Sequence, residues 1–197
     1  MRVLRKAIVA AASIGVVTAV LLTSSRSSAQ DDTKLPKRIT IQAQAMGTTT
    51  QMGRTFNMTL IIEEFSTPDD QKALLEAFNA KQNEGLVNAL SKMNSKGRMS
   101  ITGTLGYDVN YIRQFPMPDG GMKIRLVTDR PITFGEAWAD SRSRDFSLSG
   151  AEIILSADDK QNSGMLAPAC KFKIDKENQL QLELLQNPWK LVNIQKR

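Results

Sequence analysis

Residues 129–145, DRPITFGEAWADSRSRD, hold the densest mixture of groups in the chain that could recognise a ligand. Asp129, Glu136 and Asp140 offer carboxylates, Arg130, Arg142 and Arg144 offer guanidinium forks, and Trp138 offers an indole. Trp and Arg are favoured at contact hot spots, since one supplies a large amphipathic ring and the other planar charged donors. In such a site Trp138 stacks on a ligand ring while Glu136 or Asp140 accepts hydrogen bonds. The competing reading is structural: Trp138 caps a sheet and the charges solvate a loop.

Other residue types exclude more than they offer. The chain has no histidine, which removes His-based metal sites, Ser-His-Asp and Cys-His catalysis, and any histidine pH switch. Paired carboxylates could do acid–base work on a glycoside if held about 5–10 Å apart in a groove. Glu63 with Glu64 and Glu136 with Asp140 are the candidates, but neighbours on a strand point to opposite faces, which disfavours the first pair. Cys170 is the only cysteine, so no intrachain disulfide forms; it shares the apolar phase of Phe172 and Ile174, as a small buried hydrophobe does. The nine methionines are scattered, without the clustering that soft metals need. Asn57-Met58-Thr59 matches a glycosylation acceptor inside a predicted strand. Gly47, Gly53 and Gly120-Gly121 read as turn glycines, not as a phosphate cradle. No cofactor and no metal is expected.

Charge leads to compartment. Arg2, Arg5 and Lys6 precede an uncharged, largely apolar run from Ala7 to Leu22 and then a small-residue tract in which Ser27 and Ala29 fit an export cleavage site. Residues 1–29 therefore read as a cleavable signal peptide, with no cysteine to carry a lipid anchor and no twin arginine. Four of the 26 basic residues fall in that leader, which holds no acid, so the remainder carries 22 basic against 20 acidic residues and a net charge of +2 rather than +6. The basic balance belongs to the leader; nucleic acid is not an expected partner, nor is stable membrane insertion once the leader is removed. The expected location is periplasmic or secreted, with a protein or an envelope polymer as partner.

What must hold the 129–145 segment is a β domain. Residues 30–37 are polar and read as a flexible lead-in, and 38–197 as one domain of ordinary size. Polarity repeats every second residue through Ile39–Ala45, Phe56–Ile62, Arg98–Tyr111, Met122–Leu126, Phe146–Leu155, Cys170–Ile174, Leu180–Leu184 and Trp189–Ile194. Pro118-Asp119-Gly120-Gly121 and Asp175-Lys176-Glu177-Asn178 are turns, and a change of phase at Gly150 predicts a bulge. Across 68–93 the period lengthens to that of a helix, with Thr67 as N-cap and Pro68 at the first position, and Gln82-Asn83-Glu84-Gly85 interrupts it, with a break near Gly85 into a short helical pair. The fold class is mainly β with an α insertion (α+β), an antiparallel sandwich or barrel of about eight strands.

Leu105-Gly106-Tyr107-Asp108, the turn at 118–121 leading to Thr128-Asp129-Arg130-Pro131-Ile132, and Glu136-Ala137-Trp138 occur in an order that resembles a group of uncharacterised exported bacterial proteins of similar size. The resemblance spans most of the mature chain, implies a bacterial, extracytoplasmic home and carries no activity. The expected function is a non-catalytic domain that binds a ligand or protein partner through the 129–145 edge, by way of Asp129, Arg130, Glu136, Trp138, Asp140 and Arg142. The rival readings are a carboxylate-dependent hydrolase of an envelope polymer and a purely structural envelope component.

Overall fold

Period-two polarity produces strands with one wet and one dry face, and those dry faces need a common interior. A computed structural model describes residues 38–132, 146–183 and 188–197. Its strands are β1 (Ile39–Met46), β2 (Thr55–Ile62), β3 (Gly97–Ile101), β4 (Tyr107–Val109), β5 (Tyr111–Pro116), β6 (Met122–Val127), β7 (Leu148–Leu155), β8 (Ser163–Ile174), β9 (Leu180–Glu183) and β10 (Trp189–Lys196). All pairings are antiparallel, in the order β4-β3-β2-β1-β10-β8-β7-β6-β5, with β9 on β8. The two end strands, β4 and β5, are consecutive in the chain and separated only by Asn110, so the sheet rolls into a nearly closed barrel. Ser66, just past β2, stitches the seam: its N–H donates to the Ile112 carbonyl (2.7 Å) and its hydroxyl accepts from the Ile112 N–H (2.9 Å). Between the sandwich and the barrel left open by the alternation, the protein takes the barrel.

Its interior is filled with side chains. Ile41, Leu60, Met99, Ile124, Ile153 and Leu191, from six strands, are all 0 % exposed and belong to one apolar cluster. Small barrels close over side chains in this way. A second cluster lies outside the wall made by β5 to β9, where the helix α1 (Pro68–Leu90) sets Leu74, Phe78, Leu86 and Leu90 against Tyr111, Val127, Cys170, Phe172 and Leu182. Each such buried side chain stabilises by about 1.5–3 kcal/mol relative to exposure.

The start of α1 follows its sequence. Thr67 caps it, accepting from the Asp70 N–H (3.1 Å) while the Asp70 carboxylate accepts from the Thr67 N–H (2.8 Å), a reciprocal capping box. The break lies at the start of the expected interruption, Gln82-Asn83-Glu84-Gly85. Non-helical backbone lies at Lys81 (φ −143°, ψ 24°) and Gln82 (φ 51°, ψ −140°), and Gly85 sits beyond it, inside the second segment. A Cβ on Gly85 would lie 2.0 Å from the Ala77 carbonyl oxygen, so glycine serves there to let the second segment pass against the first.

Three further differences have physical causes. The alternation across 98–111 is not one strand: Gly103 (φ 85°) and Gly106 (φ 88°) turn the chain, and β4 returns along β3 with Tyr107 opposite Met99. Polarity survives the turn because both arms face the same interior. β8 begins at Ser163, earlier than its apolar phase suggested, because Ser163, Gly164, Ala167 and Pro168 leave no clear alternation in its first half. The slip at Gly150 is real, between Leu148↔Cys170 and Gly150↔Ala167, but the additional residue is on β8, where Pro168 and Ala169 face Ser149 alone. Proline, lacking an N–H, is tolerated at such a bulge. The turns at 118–121 and 175–178 stand as expected, with Gly120 at φ 81° and Asn178 at φ 57°.

Candidate functional site

Asp129 and Arg130 leave the barrel where β6 ends, on a segment fixed by two fully buried hydroxyls. Thr128 Oγ1 donates to the Arg130 carbonyl (2.6 Å), and the Thr128 N–H donates to the Ser149 carbonyl (3.0 Å). Ser149 Oγ accepts from the Ile132 N–H (2.5 Å) and donates to the Pro168 carbonyl. Residues 128–132 are therefore clamped to β7 and β8, and the bulge of β8 is what turns the Pro168 carbonyl to meet them. Asp129 and Arg130 form an ion pair at 3.7 Å, with the arginine side chain 58 % exposed. Asp129 Oδ1, the atom facing Arg130, is itself buried and accepts no hydrogen bond from a described residue. Glu136, Trp138, Asp140 and Arg142 lie outside the described residues, as does the pair of Glu136 with Asp140.

The other acid pair, Glu63 with Glu64, lies just past the end of β2. β2 ends at Ile62, and Glu64 is engaged by Lys96 Nζ at 2.6 Å, while the same ammonium lies 3.4 Å from Asp70 Oδ2. The hydrogen bond to Glu64 holds Lys96 above its ordinary value, against desolvation, with Asp70 and the charge of Glu64 adding to the rise. Burial pushes Asp70 up, but hydrogen bonds with Thr67 and the charge of Lys96 outweigh it, and the net shift is downward. This triad ties the start of α1 to the entry of β3. Burial pushes the Cys170 thiol up and makes it a poor nucleophile.

Two buried polar arrangements gave no sequence signal. Arg125, 4 % exposed on the helix side of β6, pairs with Glu152 at 2.8 Å, donates to the Leu180 carbonyl and stacks 5.1 Å from the Phe115 ring centre. Burial raises the neighbouring Tyr111 hydroxyl to about 12, with Arg113 and Arg125 pulling the other way. Asn83 extends the β8 ladder: its side chain accepts from the Phe172 N–H (2.7 Å) and donates to the Phe172 carbonyl (3.1 Å). Beside it a hollow of about 210 Å³ runs between α1 and β8, touched by Val87, Phe146, Cys170 and Lys171.

A larger concavity lies on the far wall. Gln42 and Gln44 of β1, Asn57 and Thr59 of β2, and Asn193 and Gln195 of β10 line a shallow groove of about 340 Å³. Asn57 is the residue of the glycosylation-like motif, here exposed on the outer face. Uncharged side chains carry no titratable signature, and this set is separated by up to 153 positions between Gln42 and Gln195, which is why sequence reading passed over it. Among the described residues no cluster of three or more acidic, cysteine or histidine ligands could hold a metal, and no helix is long and apolar enough to cross a membrane. No protein-family model, curated protein or solved structure matches this chain.

Proposed function

We propose that this protein is a non-catalytic binding domain that acts outside the cytoplasm, in the manner of the exported bacterial proteins that it resembles, and that it contacts its ligand or protein partner at the edge formed by residues 129–145. The observation behind it is Asp129, whose buried Oδ1, 3.7 Å from Arg130 Nε, accepts no hydrogen bond from any described residue, on a segment otherwise clamped by Thr128 and Ser149. Buried carboxylate oxygens are ordinarily hydrogen-bonded, and the exceptions call for a partner. The apolar barrel interior supports the same reading from the other direction: a ligand meets this domain on its outside. The leader supports export.

The test is retention of solubilised envelope material by the exported protein, compared with Trp138→Ala and Arg130→Ala, each checked by circular dichroism melting. Arg130 is exposed enough for its variant to keep the fold. Loss of a retained component by folded Arg130→Ala supports the reading, and retention by both folded variants as by the parent refutes it. If Trp138→Ala alone unfolds, Trp138 is a structural residue and has no place in the contact.

A further inference from the structure

The groove on β10, β1 and β2 has a composition unusual for the outside of a barrel. β1 and β2 contain no ionisable side chain along their entire lengths, and β10 and β3 contain no acid. Five of the six polar groups lining it are carboxamides, and the sixth is the Thr59 hydroxyl. A bulge builds the floor: register slips between Gln42↔Gln195 and Gln44↔Val192, so that Asn193 and Ile194 together face Ala43. Asn193 sits at φ 52°, a left-handed conformation that Asn accepts better than most residues. Its Nδ2 donates to Gln44 Oε1 at 3.3 Å. Bulges re-aim side chains beside functional sites, and backbone strain collects there too. Gln42, Asn57 and Gln195 make no side-chain hydrogen bond to another described residue, so their donors and acceptors face the groove unspent.

From this geometry we infer a second binding site, distinct from the 129–145 edge, that takes a neutral polyhydroxylated ligand, a sugar. A carboxamide presents a donor and an acceptor side by side, which matches vicinal hydroxyls, each of which both gives and takes a hydrogen bond. No lining side chain is charged, so an ion finds no counter-charge in the groove itself; Lys190 and Lys196 of β10 are not among its lining residues. A peptide added as a strand finds no free edge on β1 or β2, which are paired on both sides, and on β10 only the stretch beyond Leu191 lacks a β8 partner. The volume is at the lower end of that of small-ligand sites, about 300–1,000 Å³. Four steps around the ring separate β1 from β6, which Asp129 and Arg130 follow.

The experiment is an amide NMR titration of the exported protein with cellohexaose, chitohexaose, glucose, N-acetylglucosamine and, as an anionic control, oligogalacturonate. The expected result is that neutral sugars shift the amides of Gln42, Gln44, Asn57, Thr59, Asn193 and Gln195, unchanged between about 0.05 and 0.5 M salt. Tighter binding of the hexamers identifies a glycan chain as the source, and equal binding per ring a free sugar. Asn193→Gly keeps the left-handed backbone and removes the carboxamide, and Gln44→Ala removes its partner. Each weakens binding roughly 2–12-fold, the loss of one hydrogen bond. No shift with any neutral sugar, shifts elsewhere on the barrel, salt-sensitive binding of the anionic control alone, or full affinity in folded Asn193→Gly each overturns the inference. Arg130→Ala leaves this titration unaltered, so failure here and failure at the 129–145 edge are separable.

Discussion

Gly85→Ala reverses the usual sign of a helix substitution. Alanine in place of an interior helical glycine ordinarily stabilises by about 1 kcal/mol, through the lower backbone entropy of the unfolded chain. At Gly85 the new Cβ meets the Ala77 carbonyl oxygen at 2.0 Å and its carbon at 2.8 Å, both backbone atoms of the first helical segment. A backbone cannot rotate away as a side chain can, so the two segments must separate by about 1 Å over Leu74, Phe78 and Leu86, the residues that seal the helix to the barrel. Overpacking of this kind costs about 1–3 kcal/mol. At about 2–4 °C per kcal/mol for a chain of this size, the melting temperature falls by roughly 2–12 °C. Asn79→Ala, on an exposed position of the first segment, supplies the control and raises stability by about 0.5 kcal/mol or less. Differential scanning calorimetry of the two variants decides the matter. A higher melting temperature for Gly85→Ala refutes the close passage of the segments and restores the reading of Gly85 as a simple break.

Arg125→Met strands the Glu152 carboxylate and costs about 3–5 kcal/mol in urea unfolding, whereas Arg125→Met with Glu152→Met costs less than the single change, because no lone charge stays buried. Stability depends on pH at both ends through the Lys96 triad. Asp70 is depressed in the folded state, so its contribution is present above the ordinary carboxylate value and is lost as pH falls through the lower folded one; Asp70→Asn flattens the acid limb of a melting-temperature profile. Lys96 is raised, so its contribution is full below the ordinary lysine value and is lost as pH rises through the higher folded one; Lys96→Met flattens the alkaline limb. Cys170 stays unreactive towards Ellman's reagent in the native protein and titrates fully only in denaturant.

Local chemistry was legible where a residue acts on its own neighbours. Thr67, Pro68 and Asp70 announced the start of α1, and the turns at 118–121 and 175–178 needed only their glycine and asparagine. Chain direction was not legible in the alternation across 98–111, because a period of two reads the same on both arms of a hairpin; Gly103 and Gly106 were the available sign. Of β5 only Tyr111 falls in that alternating run, and the two adjacent buried residues Tyr111 and Ile112 break the period of two that would have marked the rest. Closure through β1 and β10 joins residues near the two ends of the domain, a long-range pairing that no local pattern encodes. Of the candidate site, Asp129 and Arg130 were found by charge in a loop, but the clamp beneath them depends on Ser149 and Pro168, which are ordinary in sequence and meet only when β6, β7 and β8 lie side by side. The carboxamide groove was silent because its members carry no charge and come from three strands.

The nearly closed barrel, filled by its own side chains, leaves its outer surfaces for binding, and pairing on both sides of β1 tests it most directly. Nuclear Overhauser contacts and hydrogen exchange are expected to place Ala45 opposite Phe56 on one side and opposite Leu191 on the other, with β1 amides protected along the strand. A β1 that pairs with β2 alone, its other edge exchanging freely with solvent, contradicts the barrel and with it both surfaces assigned to binding.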